Sequence, residues 1–243
     1  WKLVNQVIRQ ADVIILLLDA RLIEETRNLE VEHKVKKANK PLIYVVTKSD
    51  LVKKSALEKI PLKPIVFVSA RKHLGTTLLR KRILLEGKKA YGPQESFTIG
   101  VLGYPNVGKS SLINAMKGRR SAPTSSTSGF TKGIQEVRAD NRLVFLDTPG
   151  VIPFKEKDQA KHILIGTIDY NKVKDPELAV IIIMEKYPGR IEKHYQIKSE
   201  PDFEHQIELI ALKNNLLMKQ GKPDLERTAR MILKDWQTGK IKE

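Results

Sequence analysis

The nine residues Gly103-Tyr104-Pro105-Asn106-Val107-Gly108-Lys109-Ser110-Ser111 match the pattern G-x-x-x-x-G-K-[ST] and follow an apolar run at residues 97–102. That pattern needs a strand feeding a glycine-rich turn and then a helix. The glycines let successive backbone N–H groups converge on a phosphate, and the helix N-terminus adds partial positive charge. The expected phosphate-binding set is Asn106, Val107, Gly108, Lys109, Ser110 and Ser111. Lys109 is placed to neutralise β- and γ-phosphates, and the Ser110 hydroxyl to ligate Mg²⁺.

Short apolar runs rich in β-branched residues recur at 13–18, 42–46, 65–68, 97–102 and 143–146. Near-continuous apolarity of this length marks strands buried on both faces, as in a parallel sheet. Helical segments lie between them, at 76–86 and 109–117, so an α/β fold with a mostly parallel sheet is expected. After residue 153 the strand rhythm stops. Segments 177–187, 203–217 and 223–238 are amphipathic, the last opened by Pro223 and Asp224 and closed by Gly239. The expected division is a domain at 1–153 and a small helical domain at 154–243.

A phosphate loop needs a second group for its metal, and the run 143–146 leads into Asp147-Thr148-Pro149-Gly150, a D-x-x-G pattern. Asp147 is the expected metal carboxylate and the Gly150 N–H the sensor of a γ-phosphate. Base selection should come from other strand ends. The run 42–46 ends in Thr47-Lys48-Ser49-Asp50, similar to the [NT]-K-x-D element, and Asp50 can accept from the N1–H and N2–H₂ of guanine, a pair adenine lacks. A mismatched base leaves that carboxylate unpaired, which discriminates strongly. The run 65–68 ends in Ser69-Ala70-Arg71, resembling the S-A-[KR] element whose alanine N–H supports the guanine O6. Thr47, Lys48, Asp50, Ser69, Ala70 and Arg71 thus form the expected guanine set. In a parallel sheet, ligands sit in the crevice at the carboxyl ends of the strands.

The motif order is unusual, with the guanine elements before the phosphate loop. In this the chain resembles the circularly permuted P-loop GTPases, specifically the YlqF/RbgA-like ribosome-assembly family. The likeness covers Asp12 to Arg21 with its D-A-R ending, the motifs above, and a C-terminal segment at 224–240. It implies that Thr131, in Gly129-Phe130-Thr131, closes on Mg²⁺ when the γ-phosphate is present, competing hydroxyls being those of residues 124–128. Lys109, Thr131 and Gly150 are then the catalytic set, and Ser110, Thr131 and Asp147 the metal set. It also implies a GTP-binding and GTP-hydrolysing switch in assembly of the large ribosomal subunit, with GTP/GDP and a large-subunit precursor or rRNA as partners. Val151 and Ile152 stand where Ras-like enzymes carry a water-orienting glutamine. Slow intrinsic turnover follows, with stimulation by the ribosomal particle. Asn106 matches the asparagine associated with K⁺-stimulated turnover, so K⁺ joins Mg²⁺ as an expected cofactor. Thr47 replaces the commoner asparagine, keeping a hydroxyl but losing the amide that ties guanine loop to phosphate loop, so modest affinity is expected.

Permutation is feasible because residues 87–96 can span roughly 33 Å, at about 3.3 Å per residue. It also gives a mechanical expectation, since the D-x-x-G element leads at once into the helical segment. Nucleotide state should then alter the pose of residues 154–243 and switch affinity for an RNA-containing partner.

The formal charge is +16, of which residues 1–153 carry +14. A polyanion such as RNA is the natural partner. Lys34, Lys36, Lys37 and Lys40 form one basic cluster; Arg80, Lys81, Arg82, Lys88 and Lys89 a second; Lys117, Arg119 and Arg120 a third. No cysteine is present, which excludes disulfides and thiol chemistry and suits a reducing interior. The longest apolar runs fall far short of the roughly 20 residues that cross a bilayer. No membrane role and a cytoplasmic location are expected. Two other function classes remain: a GTP-gated RNA-binding module with negligible hydrolysis, raised by Val151, and a group-transfer enzyme, for which no added acid, nucleophile or metal cluster is visible. His162 is expected at the surface rather than as a base, and Phe97, Phe130, Phe145 and Trp236 as packing residues.

Overall fold

The computed structural model describes residues 1–117, 133–151 and 159–241. Thr131, Arg119, Arg120, Phe130, Ile152 and the boundary expected after residue 153 lie outside the described residues. The chain divides into two compact units, Trp1–Glu156 and Lys157–Glu243.

The first unit runs α1 (Lys2–Gln10), β1 (Val13–Asp19), α2 (Ile23–Thr26), α3 (Leu29–Lys37) and β2 (Leu42–Thr47). A single 3₁₀ turn at Ser49–Leu51 and α4 (Lys54–Leu57) lead to β3 (Ile65–Phe67) and α5 (Thr76–Tyr91). Then follow β4 (Phe97–Gly103), α6 (Lys109–Lys117), β5 (Gln135–Arg138) and β6 (Leu143–Asp147). The sheet order is β3-β2-β1-β4-β6-β5, parallel throughout except that β5 pairs antiparallel with β6. All seven residues of β1 are buried, because the strand is central and covered on both faces. Ile14, Leu16 and Leu18 join Val4, Val7 and Ile8 of α1 and Val31 and Val35 of α3 in one core. On the other side α5 packs on β1 and β3, and α6 on β4 and β6. Each aliphatic side chain buried this way contributes about 1.5–3 kcal/mol.

Two features depart from the sequence expectation. Helix α5 runs on to Tyr91, so five residues, not ten, join it to β4. Gly87 does not end the helix, because its missing side chain makes room for Phe97: a Cβ there would lie 2.9 Å from the Phe97 ring. Edge strand β5 carries no apolar run, since three of its four residues are exposed and pairing with β6 alone defines it.

The second unit comprises α7 (Gln159–Leu164), a 3₁₀ turn at Tyr170–Lys172, α8 (Pro176–Lys186), α9 (Arg190–Tyr195), α10 (Phe203–Lys213) and α11 (Leu225–Thr238). Asp175, Asp202 and Asp224 cap α8, α10 and α11, each accepting a backbone N–H of its first turn. Ala179, Val180, Ile183, Ile232 and Leu233 are wholly buried where α8 packs on α11. Trp236 donates its indole N–H to the Leu164 carbonyl at 2.9 Å, fixing α11 to α7. Helix α10 stops at Lys213 rather than near 217. Asn215 takes the left-handed conformation (φ 52°), with Leu216 N–H on the Ala211 carbonyl and Asn215 N–H on Leu212. Those two bonds are the helix-ending pair usually built around glycine.

Candidate functional site

Five strand ends form the site. Register pairs Asp19 of β1 with Thr47 of β2, and Leu17 of β1 with Gly103 of β4, so the guanine elements and the phosphate loop open on the same carboxyl edge of the sheet. Val68 bonds β2 through the Val46 carbonyl, which carries Ser69, Ala70 and Arg71 to that edge too. The Ser49 N–H donates to the Val68 carbonyl at 3.3 Å and joins the loop bearing Asp50 to the loop bearing Ser69. Ala70, Arg71 and His73 face Ser111, Asn114 and Ala115 of α6 across a cavity of about 300 Å³. Of the expected residues, Ala70 and Arg71 of the guanine set and Ser111 of the phosphate set line this cavity. His73 and Asn114 lie outside the motifs; they enter because the loop after Arg71 folds back, Ser69 and Leu74 exchanging backbone hydrogen bonds.

The phosphate loop turns through Asn106 (φ 61°) and Gly108 (φ 100°). Left-handed backbone at Gly108 is the reason a residue without Cβ stands there. Lys109 is 7 % exposed, and its ammonium donates to the carbonyls of Gly103 at 3.1 Å and Tyr104 at 2.7 Å. Burial pulls its pKa down to about 8, against the opposing pull of Asp147. The Thr47 hydroxyl lies 2.6 Å from the Val107 carbonyl and 3.0 Å from that of Leu18. With one proton to give, it donates to the nearer, Val107. The Thr47 hydroxyl thus ties the guanine loop to the phosphate loop.

At the end of β6 the Ser110 hydroxyl lies 3.4 Å from Asp147 Oδ2, while Asp147 Oδ1 is buried without a hydrogen-bond partner. Burial raises the Asp147 pKa, with Lys109 the main opposing influence. An unsatisfied carboxylate oxygen beside a hydroxyl suits a divalent cation. Among the described residues no group of three or more His, Asp or Glu is gathered to hold a metal, so an ion here needs phosphate oxygens to complete its shell. Thr148 fixes the turn by donating to the Val101 carbonyl at 2.8 Å. Val151 N–H donates to the Gly103 carbonyl at 3.0 Å. A Cβ on Gly150 would lie 2.5 Å from the Pro105 backbone, so only glycine lets the D-x-x-G segment approach the phosphate loop this closely. The Val151 side chain packs against the hydrophobic core.

One feature of the crevice was legible only as part of the D-A-R likeness. Asp19, 3 % exposed, receives Arg21 Nε on Oδ1 at 3.0 Å, and Arg21 Nη2 and Lys48 Nζ on Oδ2 at 2.8 Å and 2.7 Å. Burial alone would raise its pKa; Lys48 and Arg21 more than offset this and hold it well below the usual carboxylate range. Lys48 itself sits in left-handed backbone (φ 54°). His162 is half-buried on α7 rather than at the surface, its carbonyl accepting from the N–H and hydroxyl of Thr167.

Comparison with known proteins agrees with this geometry. Residues 98–215 match the family model described as 50S ribosome-binding GTPase (MMR_HSR1). The match begins on β4, so the guanine elements that precede the phosphate loop lie outside it. An uncharacterized GTP-binding protein of Methanocaldococcus jannaschii is 42% identical over 99% of this chain and 65% of its own length. Nucleolar GTP-binding protein 2 of Neurospora crassa is 31% identical over 99% of this chain and 40% of its own. The chain therefore spans less than two thirds of the curated relatives it matches. The crystal structure of GNP-bound YlqF from T. maritima superposes with a TM-score of 0.66 at 21% identity, covering 99% of this chain and 94% of that one. The GDP-bound form aligns equally well, at 22% identity. The fold is that of the YlqF structures, and over nearly its whole length the chain is similar to the GTP-binding proteins named above.

Proposed function

We propose that this protein binds GTP in the crevice at the carboxyl edge of the sheet, hydrolyses it slowly, and uses the nucleotide state to control its attachment to a large ribosomal subunit precursor. The observation that carries the reading is the Thr47–Val107 hydrogen bond, which makes the guanine loop and phosphate loop one unit. Asp50, Ala70 and Ser69 serve the base, with Lys48 and Arg71 beside them. Lys109 and the N–H groups of residues 106–111 serve the phosphates. Mg²⁺, when bound, supplies charge neutralisation; Ser110 and Asp147 would hold it, with Thr131 as the third expected ligand. Gly150 stands against the phosphate loop where a γ-phosphate is sensed. The family description, 50S ribosome-binding GTPase, and the +16 charge support an rRNA-containing partner. Exposed Lys36, Lys37, Lys81 and Lys88 supply cationic surface, whereas Arg80 pairs with Asp140 and Arg82 with Glu86. Among the described residues no helix is long and apolar enough to cross a membrane.

Calorimetric titration with Mg·GTP and Mg·ATP, followed by sedimentation of extract with GDP or a GTP analogue, tests the reading. GTP preference and analogue-dependent travel with large-subunit precursors are expected; equal affinity for ATP would overturn it. Val151 favours a second reading, a GTP-gated RNA-binding module with negligible hydrolysis, because its side chain is committed to the core and cannot orient water. Turnover measured in KCl and NaCl, with and without large subunits, separates the two. Stimulation by subunits, and by K⁺ acting near Asn106, supports the enzyme; no turnover under any condition supports the module.

A further inference from the structure

At the carboxyl end of β1 lies a buried ionic cluster in which Asp19 and Arg21 have no part in the phosphate and base recognition described so far. Asp19 ends β1 directly beside Thr47 in the register of the sheet, and both its carboxylate oxygens are engaged. Oδ1 accepts the Arg21 backbone N–H and Nε, each at 3.0 Å. Oδ2 accepts Arg21 Nη2 at 2.8 Å and Lys48 Nζ at 2.7 Å. The turn that wraps the carboxylate is itself fastened: Asp19 N–H donates to the Thr26 hydroxyl, which donates to the Leu22 carbonyl. A buried carboxylate so fully bonded is a rigid anchor.

Its anchor point is Lys48, the residue between Thr47 and the Asp50 turn. Lys48 has φ 54° and ψ 30°, a backbone conformation that residues bearing a Cβ avoid unless their surroundings enforce it. Besides the Ser49 N–H on the Val68 carbonyl, two side-chain restraints act here. Thr47 is held to the phosphate loop on one side, and the Lys48 ammonium is held to Asp19 on the other. The left-handed step redirects the chain into the 3₁₀ turn Ser49–Leu51, closed by Leu51 N–H on the Lys48 carbonyl at 3.0 Å. Asp50 is the middle residue of that turn. Releasing the Lys48 ammonium removes one of the side-chain restraints on the turn that carries Asp50.

We infer that Asp19, with Arg21 completing its charge, is a positioning residue for base selection: it clamps Lys48 and thereby fixes the Asp50 turn, so the D-A-R element acts through the T-K-x-D element. This rests on the guanine reading given above. It assigns the Lys48 ammonium to a strut within the protein rather than to direct contact with the base.

The test is isothermal titration of the full chain and of Asp19→Asn, Lys48→Gln and the double variant with Mg·GTP, Mg·ATP and inorganic triphosphate. Each single variant should weaken GTP about tenfold or more and leave inorganic triphosphate within about twofold. The double variant should be no weaker than the worse single one, because both changes cut one link. A merely structural role of Asp19 would lower triphosphate and GTP together, or give single effects that multiply in the double; either result overturns the inference. Lys48→Gln keeps the question answerable should Asp19→Asn fail to fold, since unchanged GTP affinity in Lys48→Gln overturns the clamp by itself. Failure of the underlying reading looks different, as the unaltered protein would then show no preference for GTP over ATP.

Discussion

The Thr47 hydroxyl stands 2.6 Å from the Val107 carbonyl, sixty residues away in sequence and on the neighbouring side of the nucleotide crevice. An asparagine at position 47 would bring two N–H donors to the two carbonyls that surround it, Val107 and Leu18; threonine brings one proton and spends it on the phosphate loop. Replacing Thr47 with valine preserves the shape and leaves that carbonyl unpaired at a buried site. The loss is about 1–3 kcal/mol, so GTP should bind roughly 5- to 150-fold more weakly, while Thr47→Asn keeps or improves affinity. Titration with a fluorescent GTP analogue measures both; a Thr47→Val protein that binds as tightly as the parent would mean the two loops are held together by something else.

Gly150 and Pro105 make the second coupling, between the D-x-x-G turn and the phosphate loop. A methyl at 150 would sit 2.5 Å from Pro105 Cα and N, and a backbone cannot yield as a flexible side chain can. Overpacking of this kind costs about 1–3 kcal/mol and displaces the segment proposed to sense a γ-phosphate. Gly150→Ala should therefore bring GTP affinity down toward that for GDP, with GDP affinity nearly unchanged. The ratio of the two dissociation constants is the quantity to measure, and a preserved ratio counts against Gly150 as a sensor.

Asp147 carries an orphan buried oxygen and a pKa raised by burial. Its ionised form is thus disfavoured in the free protein, and the sign of its replacement should differ between free and loaded states. Asp147→Asn is expected to be at least as heat-stable as the parent without ligand, yet to lose the tightening of GTP binding that Mg²⁺ confers. Adding EDTA should weaken GTP binding in the parent and change little in the variant. A variant still responsive to Mg²⁺ would place the ion elsewhere.

Asp19 gives a pH dependence of defined sign. Its folded pKa lies below the ordinary 3.8, so as acid is added the unfolded chain takes up a proton before the folded one does. The stabilisation is complete above the ordinary value and is lost as pH falls through and below it. Breaking a buried ion pair costs about 3–5 kcal/mol. Asp19→Asn should be less stable than the parent by about that amount at pH 7, and the gap should narrow below pH 4. Urea unfolding at several pH values tests this; a gap that widens with acid reverses the assignment.

What could be read in advance follows from where the physical signal is written. Buried parallel strands need apolar residues on both faces, so the five runs that became β1, β2, β3, β4 and β6 stand out, and the motifs at their ends fall on one edge of the sheet. Edge strand β5 packs on neither face enough to need such a run, so its Gln135-Glu136-Val137-Arg138 has no signature. Helix α5 continues through Gly87, whose missing side chain leaves room for Phe97 at the start of β4. The Asp19–Lys48 clamp and the Thr47–Val107 tie are equally non-local. Each joins residues whose types are ordinary and whose meaning appears only when neighbouring strands set their register.

The helical unit offers a prediction independent of nucleotide. Trp236 is 3 % exposed, bonds the Leu164 carbonyl and packs with its ring centroid 5.3 Å from that of Tyr187, tilted by 37°, so one side chain joins α7, α11 and the end of α8. Truncation to alanine leaves a large cavity and an unpaired carbonyl, about 3–5 kcal/mol in all. Because the two units have separate cores, this loss should fall on residues 157–243 alone. Calorimetry of Trp236→Ala should show one transition moved to lower temperature and the other in place, with GTP binding in the first unit retained. If instead a single transition shifts as a whole and GTP binding fails with it, the two units fold as one cooperative body, and Trp236 supports the nucleotide crevice as well as the helices.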